Sequence, residues 1–197
     1  MSAASDSGAE RTIDEATALA RLLEVSRIVL QQAVDLVASS LSTNEQLTYT
    51  SKFIPGSTIG KHLRHARDHF VLLMDAIASP PPHVLNYDSR SRNTPMESSR
   101  EAALEALITT IGRLERVVPT SRMDEQITLH AVTPYPQIMQ TTFGRELWFT
   151  GLHAIHHWSM VRVISGELGI QLEPSFGFAP STLVYNGSHA PLGKPKM

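Results

Sequence analysis

The sequence predicts an all-α fold, a four-helix bundle with a small β-hairpin between the third and fourth helices. Three observations predict it. Four segments repeat apolar residues at helical spacing, proline or glycine breakers separate them, and one short stretch before the last helix alternates apolar and polar residues as a strand does. Four amphipathic helices bury their stripes most economically by packing side by side around one core.

The first helix starts at a capping box, Thr12 with Glu15, and runs through Leu19, Leu22, Leu23, Val29, Leu30, Ala33, Leu36 and Val37 to about Leu41. Ser42 to Gly56 is polar and closes on Pro55-Gly56, a loop signal. Ser57 then caps a second helix that continues to Ala78, where Ser79-Pro80-Pro81-Pro82 stops it. Thr94-Pro95-Met96-Glu97 combines an N-cap, a first-turn proline and a capping-box glutamate, and the third helix it opens carries Leu104, Leu107, Ile108, Ile111, Leu114 and Val118 up to Pro119. Between Glu125 and Val132, Ile127, Leu129 and Ala131 alternate with Gln126, Thr128 and His130. A turn over Thr133 to Pro136 leads to a return strand through Ile138, giving a hairpin that is only marginally stable unless it packs on the helices. The fourth helix spans Phe143 to Leu168, just before Gly169. The expected organisation is a disordered tail over 1–11, one helical domain over 12–170, and an irregular extension over 171–197 packed on it.

Composition narrows the function classes. With 197 residues the chain can bury a core without covalent support, and it contains no cysteine, so disulfides, thiolate metal ligands and a cysteine nucleophile are excluded together. Lys and Arg number 17 against 19 Asp and Glu, with no basic stripe, which argues against binding nucleic acid or an anionic membrane surface. No apolar run approaches a bilayer span, so the expectation is a cytoplasmic protein acting on a small molecule. Bundle surfaces often pair, and a homodimer fits.

Six of the nine histidines fall in two short clusters. In Gly151-Leu152-His153-Ala154-Ile155-His156-His157-Trp158, His153 and His157 are four residues apart, which stacks their rings one turn apart on an inward face and lets them share a metal ion. The same spacing would also serve two hydrogen-bonded core histidines. Ala154 stands where a metalloprotease helix of the H-E-x-x-H kind carries its base, and paired Glu-x-x-His motifs are missing, so those chemistries fall away. The second cluster places His62, His65 and His69 along one flank of the stripe Ile59, Leu63, Ala66, Phe70, Leu73 and Ile77. Periodicity alone slightly favours His62 and His69 as the inward pair.

A helix reading Thr58-Ile59-Gly60-Lys61-His62-Leu63-Arg64-His65-Ala66-Arg67-Asp68, followed some ninety residues later by His153-x-x-x-His157, resembles the DinB-like superfamily. The resemblance implies a bundle that holds one divalent metal with a histidine from the second helix and two from the fourth. The second-helix ligand it implies is His65, three residues before Asp68. Tyr87-Asp88-x-Arg90, Arg145-Glu146 and Phe176-Gly177-Phe178-Ala179-Pro180-Ser181-Thr182 look like features of a less studied branch.

Three neutral protein ligands leave a position open for chemistry. Characterised relatives include transferases and isomerases that use low-molecular-weight thiols, so the leading expectation is a metal, zinc or nickel, that activates such a thiol, with Arg145 and Arg90 binding its carboxylates. The alternatives are a hydrolase or lyase with Glu146 as base, seven residues before His153 on the same face, and a non-enzymatic ligand-binding module. A plainer role for Glu146 is as the partner of a neighbouring arginine.

Overall fold

Asp14 opens the described part of the chain, residues 14–188 of a computed structural model, by capping helix α1 (Glu15–Asp35). Its carboxylate accepts the Thr17 amide at 3.0 Å and the Thr17 hydroxyl at 2.6 Å. Thr12 lies outside the described residues, and Glu15 turns away from α1 to accept the Met123 amide at 2.8 Å. A turn of π-helix (Leu36–Ser40) carries the helix on to Leu41. The expected loop after it holds a short helix α2 (Glu45–Thr48), anchored by the fully buried Leu47. Helix α3 (Ile59–Ala78) is capped by Thr58, not Ser57, through the Lys61 amide at 3.1 Å.

The third long helix begins later than the sequence suggests. Thr94 to Glu97 forms a single 3-10 turn (Pro95–Glu97), and α4 (Arg100–Val117) restarts under its own cap, with Ser99 accepting the Ala102 amide. Tertiary contacts account for the break: Arg64 of α3 takes the Glu97 carboxylate at 3.1 Å, and the turn lies so close to α3 that a Cβ on Gly60 would overlap the Glu97 carbonyl.

The chain is mostly helical, as expected, and the expected hairpin gains a third strand to form a sheet in the order β1-β2-β3. Strands β2 (Gln126–Ala131) and β3 (Gln137–Thr142) form the expected hairpin, although β3 runs four residues beyond Ile138. Strand β1 (His83–Leu85) pairs parallel to β2, His83 opposite Ile127 and Leu85 opposite Leu129. Its sequence is too short to show alternation, and its partner strand follows only after α4 in the chain. Helix α5 (Phe143–Glu167) follows β3 directly, capped by Thr142, and a last short helix α6 (Pro180–Tyr185) closes the described chain.

Helices α1 and α3 each pack against both α4 and α5. Val29, Leu30, Leu63, Phe70, Leu107, Leu147, Trp158 and Val161 fill the space between them, and the Trp158 indole donates to the Val29 carbonyl at 2.9 Å. The segment before α6 lies on α5: Arg162 donates to the carbonyls of Glu173, Pro174 and Phe176, while Phe176 stacks on Trp158. Gly177, at φ +73°, passes so near the Trp158 backbone that a side chain would collide with it. None of the described helices is long and apolar enough to cross a membrane.

Candidate metal centre

Helix α5 carries His153 and His157 on the face that meets α3, between the buried Thr150, Ala154 and Val161. Across the gap stands His65. The His153 Nε2 atom lies 3.1 Å from Nε2 of His157 and 3.2 Å from Nε2 of His65. Ligand atoms from all three residues fall within 4.8 Å of one another. His157 is buried, while His65 and His153 are half-buried.

These contacts cannot all be hydrogen bonds. Nε2 of a neutral imidazole offers one lone pair or one N–H, never both, so His153 cannot make a full bond to each of two facing nitrogens. A tetrahedral ion with bonds of about 2.0–2.1 Å to nitrogen separates its ligand atoms by roughly 3.3–3.4 Å, close to what is seen. The donor set fits a divalent metal in its chemistry as well. Burial, with neighbouring histidines second, lowers the pKa of His65 and His153 to about 3 and that of His157 to about 2. All three are neutral near pH 7, the form in which a histidine binds a metal.

The family model of the DinB superfamily matches residues 22–161, from α1 into α5, with all three histidines inside the match. The chain belongs to the DinB superfamily. It is also 35% identical over 164 residues to "FK506-binding protein 5" of Rhizopus delemar, a match that covers 82% of this chain but only 37% of that protein. No solved structure matches.

In this DinB superfamily chain the other α3 histidines, His62 and His69, sit around the three. His69 donates from Nδ1 to the His65 carbonyl at 3.0 Å and stacks on the His153 ring, centroids 3.9 Å apart, with Tyr87 stacked on its far side at 4.6 Å. His62 meets His157, Nδ1 to Nδ1, at 2.8 Å. Asp68 pairs with Arg64 and Arg67, each at 3.6 Å.

Glu146 lies fully buried two turns before His153. One carboxylate oxygen accepts the Tyr87 hydroxyl at 2.9 Å; the other takes the Thr141 hydroxyl at 2.7 Å and the Arg145 guanidinium at 2.9 Å. Arg145 is otherwise exposed and rests over the Phe149 ring, which in turn stacks on His153. Arg90 is exposed and close enough for its charge to depress the pKa of His65, His69 and His153. Tyr87 and His62 were not assigned site roles from the sequence. The sequence signals for them are the Tyr87-Asp88-x-Arg90 motif and, for His62, the helical periodicity that turns it inward with His69.

Proposed function

We propose that this chain is a metal-dependent enzyme in which His65, His153 and His157 hold one divalent ion, zinc or nickel, on a four-helix bundle made by α1, α3, α4 and α5. The observation that carries the reading is the convergence of three neutral Nε2 atoms on one point between α3 and α5. Such an ion, when bound, supplies Lewis acidity at an open position and favours the ionised form of a thiol or water there.

The chain's own residues favour a small thiol carrying carboxylates, used in transfer or isomerisation. Arg90 and Arg145 offer exposed guanidinium groups beside the histidines, suited to bidentate binding of carboxylates. Phe149 and Tyr87 supply an aromatic wall that orients an apolar portion of the substrate. Glu146 supports the wall by holding the Tyr87 hydroxyl and Arg145 in place. The hydrolytic alternative asks Glu146 to accept a proton although both its oxygens already hold donors.

Elemental analysis of the purified protein tests the metal, and the visible spectrum of the cobalt-substituted protein tests the thiol. One equivalent of metal per chain and a spectral change on adding a carboxylate-bearing thiol are expected. A metal-loaded protein whose spectrum no thiol alters would reject the thiol chemistry.

A further inference from the structure

His62 has no part in the three-histidine set, yet it makes the closest contact to it. Its Nδ1 lies 2.8 Å from Nδ1 of His157, with the ring planes 41° apart. Its own Nε2 is buried without a hydrogen-bond partner among the described residues. Two nitrogens at that distance share one proton: one ring donates and the other accepts.

The direction follows from the proton count. A neutral imidazole has a single N–H, so a His157 that offers its Nε2 lone pair to an ion must carry its proton on Nδ1. That proton points at His62, whose Nδ1 must then accept it, and the His62 proton is left on the buried Nε2. A leucine would fill the same space without burying an unpartnered N–H.

Resting on the three-histidine reading, we propose that His62 is a positioning residue: it accepts the His157 Nδ1–H, fixes the tautomer and ring plane of His157, and so presents Nε2 of His157 to the metal. Metal-bound histidines usually give this hydrogen bond to a carboxylate, a carbonyl or water. A neutral imidazole in that place adds no negative charge. The ion therefore keeps its full attraction for an anionic fourth ligand, as a thiolate-binding site requires.

The test uses the full chain with His62→Leu, which keeps volume and loses the acceptor, and His62→Asn, whose side-chain oxygen stands near the Nδ1 position. Cobalt affinity is measured by chelator competition alongside the visible spectrum, and the imidazole protons of the zinc-loaded wild type are located by nitrogen-detected NMR. The expected result is a 10- to 100-fold loss of affinity with a shifted spectrum for His62→Leu, in the range of outer-shell changes. His62→Asn restores most of the affinity, and the NMR places protons on Nδ1 of His157 and Nε2 of His62. Wild-type affinity in His62→Leu, equal losses in both variants, or a His157 proton on Nε2 would overturn the assignment. The NMR arm decides it even where a variant fails to fold. Wild-type protein that binds neither cobalt nor zinc would overturn the metal reading itself, and with it this one.

Discussion

Glu146 and His153 lie seven residues apart on α5, about 10 Å along its axis, and both belong to polar clusters, Glu146 with Tyr87 and with Thr141 of β3, His153 with the histidines of α3. Around Glu146 every demand is met: a buried carboxylate receives Tyr87, Thr141 and Arg145 from three directions. Around His153 the demands conflict, because one Nε2 faces two others and can bond fully to only one. A polar cluster that satisfies itself serves the fold. One that leaves nitrogens confronting each other is the kind of cluster a positive ion would resolve, which is the basis of the proposed metal site.

The sharpest test of this contrast is to remove each histidine in turn. His65→Ala, His153→Ala and His157→Ala are each expected to weaken metal binding by more than about 100-fold, beyond what outer-shell changes cause, whereas His156→Ala leaves it intact. Equilibrium dialysis with elemental analysis measures this, and stoichiometric metal in folded His65→Ala would reject the three-ligand set. The opposite pattern is expected at the other cluster. Glu146→Gln puts an amide N–H₂ against existing donors and costs about 1–3 kcal/mol of stability, read from urea denaturation, with metal binding retained. Lost metal at unchanged stability would move Glu146 into the working site.

Acid provides a third test, with a sign that follows from burial. His62, His65, His153 and His157 are held at about 4, 3, 3 and 2 in the fold by desolvation first and neighbouring charge second, against 6.5 in the unfolded chain. Their pKa values are depressed, so the unfolded chain takes up protons first as pH falls. Metal-free protein is therefore expected to keep its full stability above about pH 6.5 and to lose stability progressively as pH falls to about 2. Urea midpoints in the presence of a chelator follow this loss; a midpoint that does not move with acid would mean that the rings are not buried neutral. The smallest effect is expected from His69→Phe, which keeps the stack on His153 and loses only the bond to the His65 carbonyl. Metal affinity should change by less than about tenfold, and a larger loss would promote His69 to a ligand.

Much of the frame was legible because it depends on local order. Apolar spacing located the four long helices, since burial of a stripe needs the same period wherever the helix packs. Gly169 and the prolines after Ala78 marked ends correctly for the same reason. What misled was local signal overridden at a distance: the strong start at Thr94 became an isolated turn because Arg64 and Gly60 draw Glu97 toward α3. Strand β1 was invisible because three residues carry no period, and its partner is 44 residues away, His83 pairing with Ile127.

At the site the division is the same. His153 and His157 are one turn apart on one helix, so their sequence spacing alone puts their rings together. Which histidine of α3 faces them depends on how two helices are rotated about their axes and where they cross, and no spacing within α3 contains that information. Periodicity pointed to His62 and His69, and both do turn toward α5, one against His157 and one against His153. His65 stands between them at the edge of the stripe, and the crossing of α3 and α5 brings its Nε2, not theirs, to the two α5 nitrogens.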